Sequence, residues 1–381
     1  MEPTPSRANP GPTDPGPVRH RPHLDALRGV AALLVVFHHA RLECPPAGAL
    51  ARATAWLGEG HFLVTFFIIL SGYCLALPTL ATGRIRGGLG GFLVRRGRRL
   101  LPAYYAALAL SIALVATLIG HPTGRHWDFA LPVTREAVVT HLLLIHNHDI
   151  GQILKINHVF WSIAVEWQIY FSFPVLLWIG RRVGPWATTA LALAAGYAGY
   201  ALVGGTPRFG LMPHYYGMFA LGMLAAGLTG GGGRKSAWWA VAGLALVALG
   251  IFYRGQTYEV LDLPFGVACA SALVALSRAG RARAGLEWSP LVALGGFSYS
   301  LYLVHAPLQH LLVEYGFGRA GLPRPWEFPA LVVVGTPLIL AASFGFARAF
   351  ERPFLASGSP AATAGGPRRA RAGEPVRTGR R

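Results

Sequence analysis

The chain has 381 residues, of which 53% are apolar and only 13% are charged. Soluble domains are about 25% charged, so this composition excludes an ordinary soluble protein and indicates a polytopic membrane protein. The net charge of +18 alone would fit a nucleic-acid-binding protein, but the chain has none of the basic, aromatic-rich modules of that class.

Polar, proline-rich residues 1–22 open the chain without a short hydrophobic core followed by a small-residue cleavage site. We therefore expect a disordered cytosolic tail there rather than a signal peptide. Residues 23–355 form the expected membrane domain. Residues 356–381 are rich in Gly, Ala, Pro and Arg and are expected to form a second, basic, disordered cytosolic tail.

Ten apolar segments of the membrane domain are long enough to cross a hydrocarbon core of about 30 Å. They are residues 25–43, 60–80, 100–120, 160–180, 185–203, 211–229, 237–253, 260–277, 291–313 and 328–350. The expected fold class is therefore all-α, a single bundle of about ten transmembrane helices. The run at 137–146 is too short to span and is expected to be re-entrant or interfacial.

The distribution of basic residues predicts the orientation of the bundle. With both termini in the cytosol, the inner segments hold 23 lysines and arginines and the outer segments hold nine. Short cytosolic loops carry the positive excess in membrane proteins, so both termini are expected inside. Most of the net charge then reflects topology, and no nucleic-acid partner is expected.

Arg28 and His39 lie eleven residues apart in the first predicted span. Eleven residues turn an α-helix about 20° beyond three full turns, so the two side chains share one face, about 16 Å apart. Ionisable groups inside a bilayer are costly and by default indicate function, although an arginine near a helix end can also snorkel to the interface. The shared face favours an active site, from which His38 points about 100° away.

Polar residues of three other spans fall at a similar depth. Glu166 lies six residues below the predicted outer end of the fourth span, and His305 lies fourteen residues above the inner end of the ninth. Ser71 lies near the middle of the second span, where its neighbour Gly72 also allows simple helix packing. The common depth predicts that a base, a carboxylate, a second imidazole and a hydroxyl lie in one layer.

The predicted outer connection, residues 121–159, holds six of the fourteen histidines. His146 and His148 are closely spaced, but no ligand set at helical spacing accompanies them, so no metal site is expected. The three cysteines form no Cys-x-x-Cys pair. We instead expect a polar loop that faces an acceptor, with Trp127 and Asp149 in contact with a sugar.

Six motifs occur in order on these segments. They are Leu-Asp-x-Leu-Arg-Gly-x-Ala-Ala with Arg-x10-His from Arg28 to His39, the Phe66–Tyr73 stretch, Arg-x-x-Arg-x-x-Pro from Arg96 to Pro102, Trp-Ser-x-x-x-Glu from Trp161 to Glu166, the Ser298–Pro307 stretch, and Glu351-Arg352-Pro353. In them the chain resembles the acyltransferase-3 family of integral membrane O-acyltransferases, over residues 22–355. One departure is Trp167, where many members carry a second acidic residue.

The resemblance implies an enzyme of the cytoplasmic membrane that moves an acyl group, often acetyl, from acyl-CoA to a hydroxyl. The acceptor would be a sugar, a surface polysaccharide or a natural product such as a macrolide. Acyl-CoA would be a co-substrate, with no bound cofactor. The oligomeric state stays open.

Residue roles follow from the resemblance and from side-chain chemistry. His39 is expected to be the general base, since an imidazole titrates near neutral pH. The expected catalytic residues are His39, Glu166 and Arg28, and the expected donor-binding residues are Arg28, Arg96, Arg99 and Ser71. The expected acceptor-binding or supporting residues are His305, Tyr302, Trp161, Asp25 and His38.

More specifically, guanidinium groups of Arg96 and Arg99 suit the phosphates of CoA. Glu166 would orient His39 or hold the acceptor. Ser71 or His305 would steady the thioester oxygen. Both direct transfer and a covalent acyl-histidine intermediate stay open.

Two other functions also stay open on the sequence. A transporter or exporter could use intramembrane histidine and glutamate as a proton relay. A structural subunit of a polysaccharide assembly would tolerate loss of His39. Binding of acyl-CoA separates the enzyme from the transporter, which has no need of a CoA site.

Overall fold

The computed structural model describes residues 21–204, 206, 208–229, 235–253 and 256–356, and most of the two predicted tails lies outside these residues. The described residues form helices joined by turns, with no β-strand among them. The long helices are α1 (Pro22–Glu43), α2 (His61–Thr82), α3 (Gly88–Thr117), α4 (Trp161–Val183), α5 (Pro185–Val203), α6 (His214–Thr229), α7 (Lys235–Phe252), α8 (Tyr258–Ser277), α9 (Ser298–Phe317) and α10 (Arg324–Phe350). Every predicted apolar segment overlaps one of them, although segment 291–313 is divided between the short helix Ser289–Gly295 and α9.

Six of the long helices, α2, α3, α4, α5, α8 and α10, are long and apolar enough to cross a membrane. A seventh span results if Ser289–Gly295 and α9, which are bent by 72°, act as one broken span. Polar residues lower the hydropathy of α1, and α6 has only 16 residues. The all-helical, multi-pass fold is thus confirmed, whereas the count of ten spans and the cytosolic termini stay predictions.

Short helices lie between and beside the long ones. They are Gly48–Ala53, Ala55–Gly58, His126–Ala130, Arg135–Leu142, His146–His148, Phe209–Leu211, Gly280–Leu286, Ser289–Gly295 and Arg352–Ala356. Helix Arg135–Leu142 contains the start of the predicted interfacial run and has only eight residues, too few to span a bilayer.

Glycines allow α2 and α6 to pack with their backbones in contact. A Cβ atom added to Gly72 would lie 2.1 Å from the carbonyl oxygen of Phe219, and one added to Gly222 would lie 2.0 Å from that of Ile69. Small residues of this kind let membrane helices approach closely. The packing role that the sequence left open therefore belongs to Gly72, while the adjacent Ser71 points to a different face.

Helices α1 and α9 are joined by hydrogen bonds near the end of the bundle that the orientation prediction places outside, called the outer end below. The Gln309 amide donates to the Val36 carbonyl at 2.8 Å, and Nδ1 of His310 lies 2.6 Å from the Glu43 carboxylate. These contacts hold the second half of α1 against α9. They place the face of α1 that carries His39 against α9.

The connection between α3 and α4 folds back over this outer end. Its Trp127 side chain is fully buried, and the Trp127 backbone N–H donates to the Glu43 carboxylate at 3.1 Å. The Arg125 guanidinium contacts Glu327 at 2.9 Å and Glu314 at 2.8 Å. These contacts fix the connection to α1, α9 and α10, so histidines of an irregular segment are brought to the bundle core.

Candidate active site

A cavity of about 680 Å³ lies among α1, α2, α3, α4 and α9. Its lining includes seven arginines: Arg21, Arg28, Arg84, Arg86, Arg95, Arg96 and Arg99. Asp25 and Glu166 are the acidic residues of that lining. The volume is within the range of about 300–1,000 Å³ of small-molecule sites, and the excess positive charge favours a ligand with several anionic groups.

Arg28 points into this cavity and is held by two neighbours. Its Nη1 donates to the Asp25 carboxylate at 2.5 Å, and its Nη2 lies 3.0 Å from Sγ of Cys74. About a fifth of its side chain, 21%, is accessible. Arg28 is therefore held in place at the cavity, and the residue that holds it, Asp25, lies one helical turn earlier on α1.

Glu166 is the centre of a second polar group in the cavity wall. One carboxylate oxygen of Glu166 accepts hydrogen bonds from the Ser71 hydroxyl at 3.1 Å and the Tyr170 hydroxyl at 2.6 Å. The Arg96 guanidinium interacts with the Tyr170 hydroxyl and with the charge of Glu166. The cavity wall thus joins an expected catalytic carboxylate to two expected donor-binding residues, Ser71 and Arg96.

The expectation that Glu166 orients His39 needs correction. The Glu166 hydrogen bonds run to Ser71 and Tyr170, whereas Nδ1 of His39 lies 3.1 Å from Nε2 of His305. His39 is also absent from the described cavity lining. Helix α4 therefore supplies its carboxylate to the cavity, and helix α9 supplies the imidazole that contacts His39.

The hydrogen bonds of the His39–His305 pair define which nitrogen carries a proton. Nδ1 of His305 lies 2.8 Å from the Tyr302 carbonyl oxygen and 3.1 Å from that of Leu301, and carbonyl oxygens only accept. In neutral His305 the other nitrogen, Nε2, must then accept a hydrogen bond from Nδ1–H of His39. Nδ1 of His39 also lies 3.0 Å from the Val35 carbonyl oxygen, which only accepts. The arrangement leaves a lone pair on Nε2 of His39.

Tyr302 separates the cavity from this histidine pair. Tyr302 lines the cavity, and its hydroxyl lies 2.6 Å from the Ser162 hydroxyl. Its ring centroid lies 5.9 Å from that of His305 and 6.1 Å from that of Phe67. Tyr302 is therefore the cavity-lining residue that lies next to His305, the partner of His39.

Two expected supporting residues have structural contacts. Nδ1 of His38 donates to the Leu57 carbonyl at 2.7 Å, and its ring packs so closely on Gly60 that a Cβ there would lie 2.3 Å away. The ring of Trp161 stacks with Tyr215 at a centroid distance of 6.5 Å. These contacts hold α1 and α4 in place beside the site.

Two histidines of the α3–α4 connection lie against His39. Ring centroids of His158 and His126 are 5.0 Å and 6.0 Å from that of His39, and 4.5 Å from each other. Burial lowers the pKa of His126, and burial together with the nearby His126 imidazole lowers that of His158 well below the ordinary value. Burial therefore favours the neutral form of both imidazoles.

The other expectations for the α3–α4 connection are changed by the fold. Trp127 is fully buried, so the expectation that it contacts a sugar is wrong, while Asp149 is exposed. The His146 ring is buried and stacks on that of His141 at a centroid distance of 3.7 Å, whereas His148 is exposed. His146 and His148 are thus close in sequence but lie in different environments. The histidine group that does form was not recognised from the spacing.

Three further residues beside the site, Ser162, Tyr170 and Cys74, were not predicted as site residues from the sequence. Each lies three or four residues from a predicted site residue, Glu166 or Ser71, and therefore on the same helical face. Helical spacing from the expected site residues would have found them. No comparable local signal connects His126 and His158 to His39.

Comparison with known proteins relates this chain to one family. Residues 21–348 match the acyltransferase-3 family model, which describes an acyltransferase domain. A Staphylococcus aureus protein provisionally named an O-acetyltransferase is 28% identical over 174 residues, which are 42% of this chain. The alignment spans only 25% of that relative's length.

Two further relatives show a similar degree of identity. A Komagataeibacter xylinus protein, provisionally named the membrane-bound transacylase BcsY, is 27% identical over 332 residues, 78% of each chain. A Bacillus subtilis protein, provisionally named the peptidoglycan O-acetyltransferase YrhL, is 27% identical over 172 residues, which are 43% of this chain and 25% of that protein. No solved structure matches the chain.

Proposed function

Because this chain belongs to the acyltransferase-3 family, which its residues 21–348 match, we propose that it moves an acyl group, acetyl in the first instance, from acyl-CoA to a hydroxyl at the cell membrane. One observation carries this proposal. The arginine-lined cavity includes Tyr302, which lies on α9 one helical turn before His305, and His305 contacts His39 of α1.

The cavity suits the donor because CoA is a polyanion. Guanidinium groups bind phosphate oxygens with paired hydrogen bonds, and several arginines lie at the end of the cavity formed by the start of α3. With the predicted orientation this end faces the cytosol, where CoA is found. Arg96 and Arg99 would hold phosphates there, and Arg28 would hold the pantetheine arm.

The length of the site suits an extended pantetheine arm. Arg28 and His39 are eleven residues apart on α1, which corresponds to about 16 Å along the helix. An arm that runs beside α1 past Tyr302 would place the thioester near Nε2 of His39. The donor would thus be bound by its phosphates at the arginines and would react at His39, about 16 Å further along the bundle.

In this mechanism His39 acts as the general base. Its Nε2 takes the proton of the acceptor hydroxyl while the hydroxyl oxygen attacks the thioester carbonyl carbon. Collapse of the tetrahedral intermediate breaks the carbon–sulfur bond. The leaving sulfur takes the proton from His39, so CoA leaves as the thiol. His305, by accepting a hydrogen bond from Nδ1–H of His39, would orient the base and stabilise its charged form.

We propose a sugar hydroxyl as the acceptor, approaching from the outer end of the bundle. The proposal draws support from the B. subtilis relative, whose name refers to peptidoglycan. The cavity that would hold the donor lies on the other side of Tyr302. Separate entry of donor and acceptor would let a cytosolic acyl group modify a sugar on the opposite side.

Binding of acetyl-CoA to the detergent-purified protein tests the donor site without knowledge of the acceptor. We expect saturable binding that Arg28→Ala weakens by about tenfold or more, since hydrogen bonds to charged groups contribute about 1.5–3 kcal/mol. Arg41→Ala is the matched control, because Arg41 is on the same helix but donates to Thr54 at 2.8 Å, away from the cavity. No binding by folded protein, or equal loss in both variants, would contradict the proposal.

A further inference from the structure

We propose that His39, His126 and His158 form a binding site for a divalent transition-metal ion, Zn²⁺ in the first instance, and that the bound ion inhibits acyl transfer. The binding site stands on its own geometry. The inhibition rests on the proposed function, because it assumes that His39 is the base.

The three imidazoles already converge. One ring nitrogen from each lies within 4.8 Å of the other two. Bonds from Zn²⁺ to imidazole nitrogen are about 2.0–2.1 Å long, which places tetrahedral ligands about 3.4 Å apart. Small rotations of the rings therefore suffice to bring all three nitrogens to one ion.

Two of the three histidines have a free nitrogen for a metal. Both ring nitrogens of His158 are buried and have no hydrogen-bond partner among the described residues. A buried polar atom without a partner is destabilising, and metal coordination would give one of these two nitrogens a partner. In His39, Nδ1 is engaged by Val35 and His305, so Nε2 is the nitrogen that remains.

The contacts of His39 are those of a metal-binding histidine. Such histidines usually donate their second N–H to a carbonyl, a carboxylate or a water molecule, and this contact fixes the ring and its tautomer. The Val35 carbonyl at 3.0 Å serves this purpose for His39. His305 adds a second acceptor at 3.1 Å.

The segment that carries His126 is anchored to the helix that carries His39. Trp127, the next residue, donates its backbone N–H to Glu43 at 3.1 Å, and Glu43 is four residues after His39 on α1. His126 itself is only half-buried, so the cluster is reached from the outer end through His126. With the predicted orientation, a metal ion would therefore enter this site from the outer side of the membrane and not through the arginine-lined cavity.

The donor set determines the class of metal. Three neutral imidazoles suit Zn²⁺, Co²⁺, Ni²⁺ and Cu²⁺, whereas Mg²⁺ and Ca²⁺ prefer oxygen ligands. Three protein ligands also leave a fourth position for water.

Inhibition follows from the shared nitrogen. The lone pair on Nε2 of His39 cannot bind a metal ion and accept a proton at the same time. A metal ion from the outer side would then compete with the acceptor hydroxyl for the base. His126 and His158 would serve metal binding alone.

Titration of the full chain with Co²⁺ tests the site directly, using detergent-purified protein without a polyhistidine tag. We expect about one bound Co²⁺ per chain with the visible absorption of a four-coordinate ion, and displacement by Zn²⁺. His126→Ala and His158→Ala should each weaken binding by more than the roughly 10–100-fold that loss of a second-shell partner causes. His121→Ala and His148→Ala remove exposed histidines of the same connection and should bind Co²⁺ as the unaltered chain does.

Two results would overturn the site: no saturable Co²⁺ binding, or equal losses in the His121 and His148 controls. The melting temperature in detergent, measured on the same samples, reports whether each variant is folded. If His158→Ala fails to fold, the half-buried His126→Ala decides the question.

Release of CoA thiol from acetyl-CoA, with the hydroxyl of an added sugar or of water accepting the acetyl group, tests the inhibition. Zn²⁺ should slow the release by the unaltered chain, and His126→Ala should keep the basal rate but lose sensitivity to Zn²⁺. Binding of Co²⁺ without any effect of Zn²⁺ on release would overturn the inhibition. If no acetyl-CoA is consumed under any condition, the proposed function fails, and the Co²⁺ titration still decides the metal site.

Discussion

Nδ1 of His39 and Nε2 of His305 lie 3.1 Å apart although 266 residues separate them in the chain. The contact joins α1 to α9 next to Tyr302, and neither histidine is part of the described cavity lining. It also assigns the proton of His39 to Nδ1 and the lone pair to Nε2. Much of the proposed chemistry depends on this one contact.

Replacement of the two histidines should have unequal effects. We expect His39→Ala to lower kcat by about 10²–10⁴-fold, the usual contribution of a general base, with little change in the KM for acetyl-CoA. His305→Ala should lower kcat less, because it acts through His39, and His305→Gln should recover part of the loss since its amide oxygen can accept the Nδ1 proton. The measurement is steady-state thiol release, and a fully active His39→Ala would contradict the base role.

The double variant sharpens this test. If His305 acts only through His39, His39→Ala combined with His305→Ala should be no slower than His39→Ala alone. Additive losses would instead mean that His305 contacts the substrate itself.

The effect of replacing an arginine at the start of α3 should depend on whether that arginine lines the cavity. Arg96→Ala and Arg99→Ala remove cavity-lining charges and should raise the KM for acetyl-CoA by about 10–100-fold, with kcat less affected. Arg98→Ala is the matched control, since Arg98 is not part of the described cavity lining. Equal effects of all three substitutions would mean that general charge, and not the cavity, attracts the donor.

The contacts of Glu166 predict an effect on donor binding rather than on the base. Glu166→Gln keeps an oxygen that can accept from Ser71 and Tyr170 but removes the negative charge near Arg96. We expect a change in the KM for acetyl-CoA with a smaller change in kcat. A fall in kcat alone, as large as that of His305→Ala, would support the earlier expectation that Glu166 orients His39.

Close packing of α2 on α6 should make Gly72 intolerant of a methyl group. Gly72→Ala places a Cβ 2.1 Å from the Phe219 carbonyl oxygen, and overpacking of this kind costs about 1–3 kcal/mol or more. We expect a lower melting temperature in detergent. Gly243→Ala in α7 is the matched control because its Cβ meets open space, and it should leave the melting temperature unchanged or raise it.

A buried polar cluster outside the cavity should affect stability alone. The Asp262 carboxylate lies 2.8 Å from His61 Nε2 and 3.0 Å from His214 Nε2, and it accepts from Thr65 at 2.5 Å. Asp262→Ala leaves these groups unpaired, at about 1–3 kcal/mol each, so a large fall in melting temperature is expected.

Acetyl-CoA affinity separates this effect from a role in the site. Asp262 is not among the described cavity-lining residues, so its replacement should leave the affinity unchanged below the melting transition. Loss of affinity at unchanged stability would place the cluster in the donor site instead.

Features that depend only on residues close together in the chain, such as apolar runs and helical spacing, could be predicted from the sequence. The apolar segments predicted every long helix of the described chain, because burial of a helix in lipid requires a continuous apolar run. The eleven-residue spacing put Arg28 and His39 on one face, because the turn of an α-helix is constant. Supporting contacts such as that of Asp25 with Arg28 are also local, one helical turn apart.

Which helix faces pack against one another was decided by the tertiary structure. Common depth grouped Glu166 with His39, yet depth says nothing about which faces of neighbouring helices meet, and packing turned Glu166 toward Ser71 and Tyr170. The irregular α3–α4 connection has no period from which its course could be read. Contacts such as that of Trp127 with Glu43, 84 residues apart, fold it over α1 and bring His126 and His158 to His39.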